Sequence, residues 1–331
     1  MARQTDSASP LAALAQRTPP LAALAVAVLA VSTSAILVEW SRAPSLVKAF
    51  YRVLFTTLVL VPVALGRESD RTAFRRLRGR DLLVAVAAGA ALAVHFASWF
   101  ESLRWTTVAA SVTLVQSQPV FVAVGAWALL DERVTRRTVA GIVIAVAGMA
   151  LLAGGGTLFG AALRGPRPLF GNGLALVGAL CYTVYVLSGR SLRQRFPLLP
   201  YVIVVYGVCT LVLLAATLAR GHALVGYARR EWLLFAGMAL GPGLFGHTVV
   251  NWALAHVESS VVSVSLVAEP VGSTVLAVLL LSEVPTVTTV VGGAVVLAGI
   301  TVTARARADP DEDAEPASTR TDDGAESVTH E

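Results

Sequence analysis

Lysine is nearly missing from this chain of 331 residues: of its 26 Lys and Arg residues, Lys48 alone is a lysine. Cysteine is almost as scarce. Cys181 and Cys209 both sit inside long apolar runs, at no metal-ligand spacing, so neither a disulfide framework nor a cysteine metal site is available. Charged residues make up 14% of the chain, against roughly a quarter in an average soluble domain, and a soluble core of this size would lack its polar skin. Nothing resembles H-E-x-x-H, G-x-S-x-G, a paired-aspartate motif or G-x-x-x-x-G-K-[ST], which leaves hydrolytic and ATP-driven chemistry without their signatures. No cofactor and no metal is expected.

What is present is apolar sequence, 56% of the chain, gathered into charge-free runs of about 20 residues, the length that spans hydrocarbon. Ten such runs can be drawn, at 21–40, 46–66, 82–102, 107–130, 138–155, 172–189, 200–219, 232–254, 259–281 and 286–304. The fold class expected is therefore an all-α integral membrane protein. The first run is too long for a cleavable signal peptide and has similar runs behind it. Residues 1–19 read as a polar N-terminal arm, and 305–331 as an acidic tail too poor in apolar residues to fold alone. The formal charge of +5 could suggest a nucleic-acid binder, but the arginines fall in short loops between runs, where they set membrane orientation instead; no nucleic acid is expected as a partner.

The two halves repeat. At a constant offset of 151 positions, Leu103 matches Leu254, Pro119 matches Pro270, Glu132 matches Glu283, Thr135 matches Thr286, Gly141 matches Gly292 and Gly148 matches Gly299. This divides the chain into a first five-helix repeat at 20–155, a linker at 156–171 and a second repeat at 172–304. Five is odd, so the second copy enters the bilayer from the opposite side. The turn after the fourth run holds Arg133, Arg136 and Arg137, whereas its counterpart, SEVPTVTT, holds no basic residue. By the positive-inside rule the first turn is cytoplasmic. Loop 67–81 and the segment GRSLRQR agree; the loop carrying Arg220, Arg229 and Arg230 argues the other way. The balance puts both termini in the cytoplasm of a multi-pass plasma-membrane protein. Inverted repeats of this kind place a substrate site near the midplane where they meet.

The doubled pattern of Pro119, Glu132, Gly141 and Gly148 with Pro270, Glu283, Gly292 and Gly299 resembles the EamA family of the drug/metabolite transporter superfamily. Arg52 in LVKAFYRVLF looks like the arginine early in that family's second span, and EPVGSTVLAVLLLSEVPT looks like its ninth span and following turn. The resemblance covers roughly 20–304. It implies ten helices in two inverted repeats and transport of small metabolites, with no single substrate to carry over.

Among the candidate residues, Glu269 stands out. If its run starts near Ser259, it lies about 15 Å in, half of a core roughly 30 Å thick. Ser265 and Ser273, four residues to either side, share its face, and Pro270 removes a backbone donor toward Leu266. Glu269 could accept a proton, balance a cationic solute, donate as a neutral acid, or simply tie two helices together. Its repeat partner is Gln118; Gln116, about 160° further round an ideal helix, is expected to face elsewhere. His95 with Trp99, and His247 with Asn251, each place an imidazole beside an aromatic or amide four residues on, a face suited to an amine or a ring, or to a satisfied interhelical contact. Glu39, Arg52 and Glu101 fall near the external ends of runs one to three, as an ion-pair clasp or gate. Trp40 and Trp105 read as interfacial anchors, Glu132 and Glu283 as capping residues at turns, and Tyr182 and Tyr185 as packing.

The leading expectation is a secondary transporter or facilitator of a small organic solute such as an amino acid or amine, with a proton gradient as candidate energy source, as monomer or homodimer in the lipid bilayer. A lipid or amphiphile translocator is the alternative; an intramembrane enzyme using His95, His247, Glu101 or Glu269 is the remote third class. A lateral opening would favour the lipid, a closed polar centre the soluble metabolite.

Overall fold

A computed structural model describes residues 20–130, 135–158, 164–193, 195–249 and 268–308. Among the described residues every regular element is helical. The order is α1 (Pro20–Ser32), α2 (Ser34–Trp40), α3 (Ser45–Leu65), α4 (Glu68–Arg76), α5 (Arg80–Ser102), α6 (Val108–Val115), α7 (Gln118–Leu130), α8 (Arg136–Leu158), α9 (Pro168–Arg193), α10 (Leu198–Ala219), α11 (Arg229–Met238) continued as a π-helix (Ala239–Thr248), α12 (Ala268–Leu281) and α13 (Val287–Ala308). Proline opens several of them: Pro20 and Pro168 are first residues of α1 and α9, while Pro44 and Pro197 immediately precede α3 and α10. At these positions the missing N–H is no loss and the fixed φ suits a helix start. Thr107 caps α6, its hydroxyl accepting from the Ala110 amide at 3.2 Å.

The protein spans a membrane many times. Among the described residues, five helices are individually long and apolar enough to cross (Ala22–Trp40, Ser45–Leu65, Arg80–Ser102, Pro168–Gly189 and Leu199–Ala219), and shorter apolar helices accompany them. Leu29, Leu58, Leu83, Leu169, Leu211 and Leu279 are each more than half exposed on the outside of the bundle, a surface that suits acyl chains rather than water. Loop 67–81 contains one element absent from the sequence expectation, the short helix α4. Its arginines Arg71 and Arg76 are exposed, while Asp70, Ala73 and Leu77 face the protein.

The two-repeat architecture is built as an inverted pair. Helices α8 and α13 begin at Arg136 and Val287, 151 positions apart, and they pack against each other antiparallel. A Cβ added to Gly148 would lie 2.5 Å from the Val296 nitrogen and 2.9 Å from the Gly292 carbonyl, whereas Gly141 meets Thr303 and Gly299, so numbers rise along one helix as they fall along the other. Equivalent helices crossing in opposite directions require a pseudo-two-fold axis in the membrane plane. The same relation recurs nearby. Gly171 of α9 abuts Ser102 and Gly178 abuts Ser98 of α5, while in the other half Gly246 abuts Val31 and Gly237 abuts Leu37. Glycine is required at the α8–α13 crossing because only backbone without Cβ permits that approach.

Sidedness is consistent along the chain. An ion pair between Arg195 and Asp81, 2.9 Å apart, holds loop 67–81 and the α9–α10 connection at one end of the bundle. At the other end, Glu231 accepts from the Ser41 hydroxyl (2.5 Å) and the Arg42 amide (3.0 Å), and Arg164 donates to the Val284 carbonyl at 2.6 Å.

Candidate functional site

Among the described residues, three of the expected crossings depart from regular α-helix. The first has a one-residue turn at Thr33, between α1 and α2, with its dihedrals still in the α region (φ −73°, ψ −12°); the fourth is interrupted at Gln116 and Ser117, between α6 and α7; the eighth passes from α-helix into ten residues of π-helix containing Pro242. The break in the fourth has a direct cause. Pro119 cannot donate to the carbonyl four residues back, and its ring crowds that carbonyl, which belongs to Val115, the last residue of α6. The chain turns through Gln116 (φ −79°, ψ 1°) and restarts at Gln118. Such interruptions free polar groups at membrane depth, and they are tolerated where they are buried in protein or line a solute path.

Glu269 and the breaks meet. Nε2 of Gln116 donates to Oε2 of Glu269 at 2.6 Å, and Nε2 of Gln118 donates to Oε1 of Gln116 at 3.2 Å. From the first crossing, the Ser32 hydroxyl donates mainly to the Val28 carbonyl at 2.8 Å and shares that hydrogen with the backbone carbonyl of Glu269 at 3.4 Å; the Ser273 hydroxyl donates to the Ser32 carbonyl at 3.0 Å. A side chain at Gly272 would strike Ser32, so the close seating of α12 on α1 depends on that glycine. The amide that touches the carboxylate is thus Gln116, which ideal helical counting turned away; Gln118, its repeat partner, stands one hydrogen bond removed. The signal was present in Pro119, because 100° per residue does not apply across a break.

Arg52 is buried in α3, facing the first crossing just past Thr33. Its Nη1 donates to the Ser34 hydroxyl at 2.8 Å, and its guanidinium lies 4.7 Å from the Phe96 ring centroid, 5.6 Å from that of Phe100 and 5.8 Å from that of Trp99. It is the charge whose field acts on Glu269. The expected partnership of Arg52 with Glu101 is not the one built: Glu101 accepts from Trp105 Nε1 (2.9 Å) and Arg104 (3.4 Å). Glu39 lies in the field of Lys48, whose Nζ donates to the Val38 carbonyl at 2.8 Å. Arg52 therefore belongs to the inner, aromatic-walled centre, whereas Glu39 and Glu101 belong to the end of the bundle. Trp40 is exposed at that end, and Trp105 is partly buried there against Phe170.

His95 is bonded: its Nδ1 donates to the Gly178 carbonyl at 2.9 Å, and its ring packs on Trp99 and Tyr182, with centroids 5.9 and 4.9 Å away. Tyr185 packs on Tyr182, 5.3 Å between centroids. Gly178 lets α9 approach Val115, Ser98 and Trp99 together, which joins the histidine–tryptophan face to the residue preceding Gln116. Glu283 caps a helix, though in the other repeat: its Oε1 accepts from the Val108 amide at 2.8 Å, at the start of α6 rather than of the following helix. Burial raises the carboxyl of Glu283 above its ordinary pKa, against the lowering effect of that amide and the Ala109 amide. Glu132, Asn251, Ser265 and the side chain of His247 lie outside the described residues. Pro270 is buried in the first turn of α12.

Comparison with known proteins fits this geometry. The family model described as the EamA-like transporter family matches residues 18–154 and 169–305. An uncharacterized transporter of Archaeoglobus fulgidus is 24% identical over 257 residues, 77% of this chain and 86% of the relative. A probable terminal-alkyne amino-acid exporter of Streptantibioticus cattleyicolor is 27% identical over 249 residues, 73% of this chain and 80% of the relative. One solved crystal structure shares the fold with a TM-score of 0.58, at 21% identity, covering 86% of this chain and 96% of its own.

Proposed function

From the premise that the chain belongs to the EamA-like transporter family, we propose that it is a secondary transporter, moving a small organic solute such as an amino acid or amine across the plasma membrane by alternating access. Its family and relatives place it among transporters rather than enzymes. The observation that carries the mechanistic reading is the 2.6 Å bond from Gln116 to Glu269, which puts an ionisable acid of one repeat against a helix break of the other. A rocking motion between repeats makes and breaks contacts of this kind. The exporter among the relatives supports amino acids as the solute class and outward movement as the direction.

Glu269 gives such a carrier a means of coupling. A single carboxylate that takes either a proton or a cationic group on the solute links the two by competition, so a proton entering down its gradient releases the solute. Arg52 supplies a fixed positive charge to the same buried centre. The arginine-rich turns face the cytoplasm in this reading, with both termini.

The test is counterflow in proteoliposomes against labelled amino acids and amines. Saturable exchange of at least one of them, absent from protein-free vesicles, is the expected result; no exchange of any of them removes this solute class.

A further inference from the structure

Trp99 is 5% exposed, yet its indole Nε1 has no hydrogen-bond partner. A buried N–H left unpaired is costly, because it loses its hydrogen bond to water and gains none in the protein. A phenyl ring would pack against Phe100 and His95 without that cost, so the N–H needs another reason. The Arg52 guanidinium lies over the same indole, 5.8 Å from its centroid. Both groups are donors, and one of them is a fixed cation.

We propose that Trp99 Nε1 and Arg52 form a carboxylate-binding subsite, and that the solute is a zwitterionic α-amino acid seated with its carboxylate on this pair and its ammonium toward Glu269. The inference rests on the transporter reading above and adds to it the substrate's charge pattern and its orientation.

Three observations support the seating. A carboxylate has two oxygens and can engage a guanidinium and an indole N–H at once. Among the described residues the centre holds one cation, Arg52, and one anion, Glu269, each in the other's field, so a net-neutral solute with separated charges leaves them balanced, whereas a dianion or dication would not. Arg52 and the helix that carries Glu269 both meet one stretch of backbone: Ser34 holds the guanidinium, and Ser32 lies 3.4 Å from the backbone carbonyl of Glu269. Gly178 lies close to both Trp99 and Val115, the residue before Gln116. Phe96, Phe100 and Tyr182 supply an apolar wall for the side chain.

The experiment uses the full-length protein in proteoliposomes. Counterflow is measured for each of the twenty common L-amino acids, and for any that exchanges, competition is compared among the amino acid, its amide, its decarboxylated amine and its deaminated acid. The expected result is that the amino acid outcompetes the amide and the amine by about tenfold or more, the loss expected for one charge-assisted hydrogen bond. Trp99→Phe, which keeps the ring packing and is checked by size-exclusion profile, is expected to shrink that preference several-fold. If amide and amine compete as well as the amino acid, or if the preference survives Trp99→Phe intact, the carboxylate subsite is overturned while transport stands. If amines alone exchange, the subsite falls and the carrier reading remains; if nothing in either panel exchanges, both fall.

Discussion

Gln116 and Glu269 are hydrogen-bonded across the boundary between the two repeats, amide to carboxylate, at 2.6 Å. The pair is asymmetric although the fold is pseudo-symmetric, because the position equivalent to Glu269 is Gln118, and Gln118 reaches the acid only through Gln116. One repeat thus supplies the ionisable group and the other supplies the donors that hold it.

That order of contact separates the two glutamines in mutagenesis. Gln116→Leu removes the donor bonded to the acid and is expected to cost about 1–3 kcal/mol of stability, with a displaced pH dependence of transport. Gln118→Leu removes a neutral bond of 3.2 Å and is expected to cost about 0.5–1.5 kcal/mol, with the pH profile kept. Melting temperature in detergent and transport rate against pH check both; equal effects would mean that the amides act as one unit.

Glu283 is expected to act on folding. Its raised pKa means that the folded protein holds the proton more tightly than the unfolded chain, so this group's contribution is fully present below the unfolded value and is lost as pH rises through the folded one. Wild type should therefore gain stability from this residue as pH falls from neutral toward about 4.5, its ordinary pKa. Glu283→Gln keeps an acceptor for the Val108 amide and should flatten that slope, while Glu283→Ala should lower folded yield through loss of a cap worth about 1 kcal/mol. Thermal melts of the three proteins across this pH range give the comparison. Normal yield with abolished transport in Glu283→Ala would assign the residue to the solute path.

The α8–α13 crossing offers a sharper structural contrast. Gly148→Leu would drive a side chain into the backbone of α13 and is expected to eliminate folded protein. Gly173→Ala meets nothing within 4 Å and is expected to be neutral or to stabilise by about 0.5–1 kcal/mol, as alanine replaces glycine inside a helix. Detergent-solubilised yield by size exclusion reads both.

The membrane fold and its inversion were legible in the sequence, because long apolar runs and a single 151-residue register are properties of the chain itself. Pro119 was legible for the same reason, and it ends α6 at Val115. What could not be read was side-chain partnership across a break. Counting 100° per residue from Gln118 turned Gln116 away from Glu269, and the count failed because Pro119 had already ended the helix at Val115. His95 found a backbone carbonyl, at Gly178, and a backbone acceptor leaves no mark in a pattern of side chains. Arg52 was assigned to the outer acids by its place in the third helix, but Ser34 and the α5 aromatics draw it inward, where cation–π contact offsets part of its desolvation.

Glu269→Gln tests the account most directly. Wild type and variant are reconstituted side by side, and uptake of an exchanging amino acid or amine is followed with and without an imposed pH gradient. The expected result is loss of gradient-driven accumulation together with weakened exchange that no longer depends on pH, since glutamine keeps the size and the bond to Gln116 but can neither take a proton nor balance the solute's ammonium. An unchanged response to the gradient would contradict the coupling role and leave Glu269 as a tie between helices.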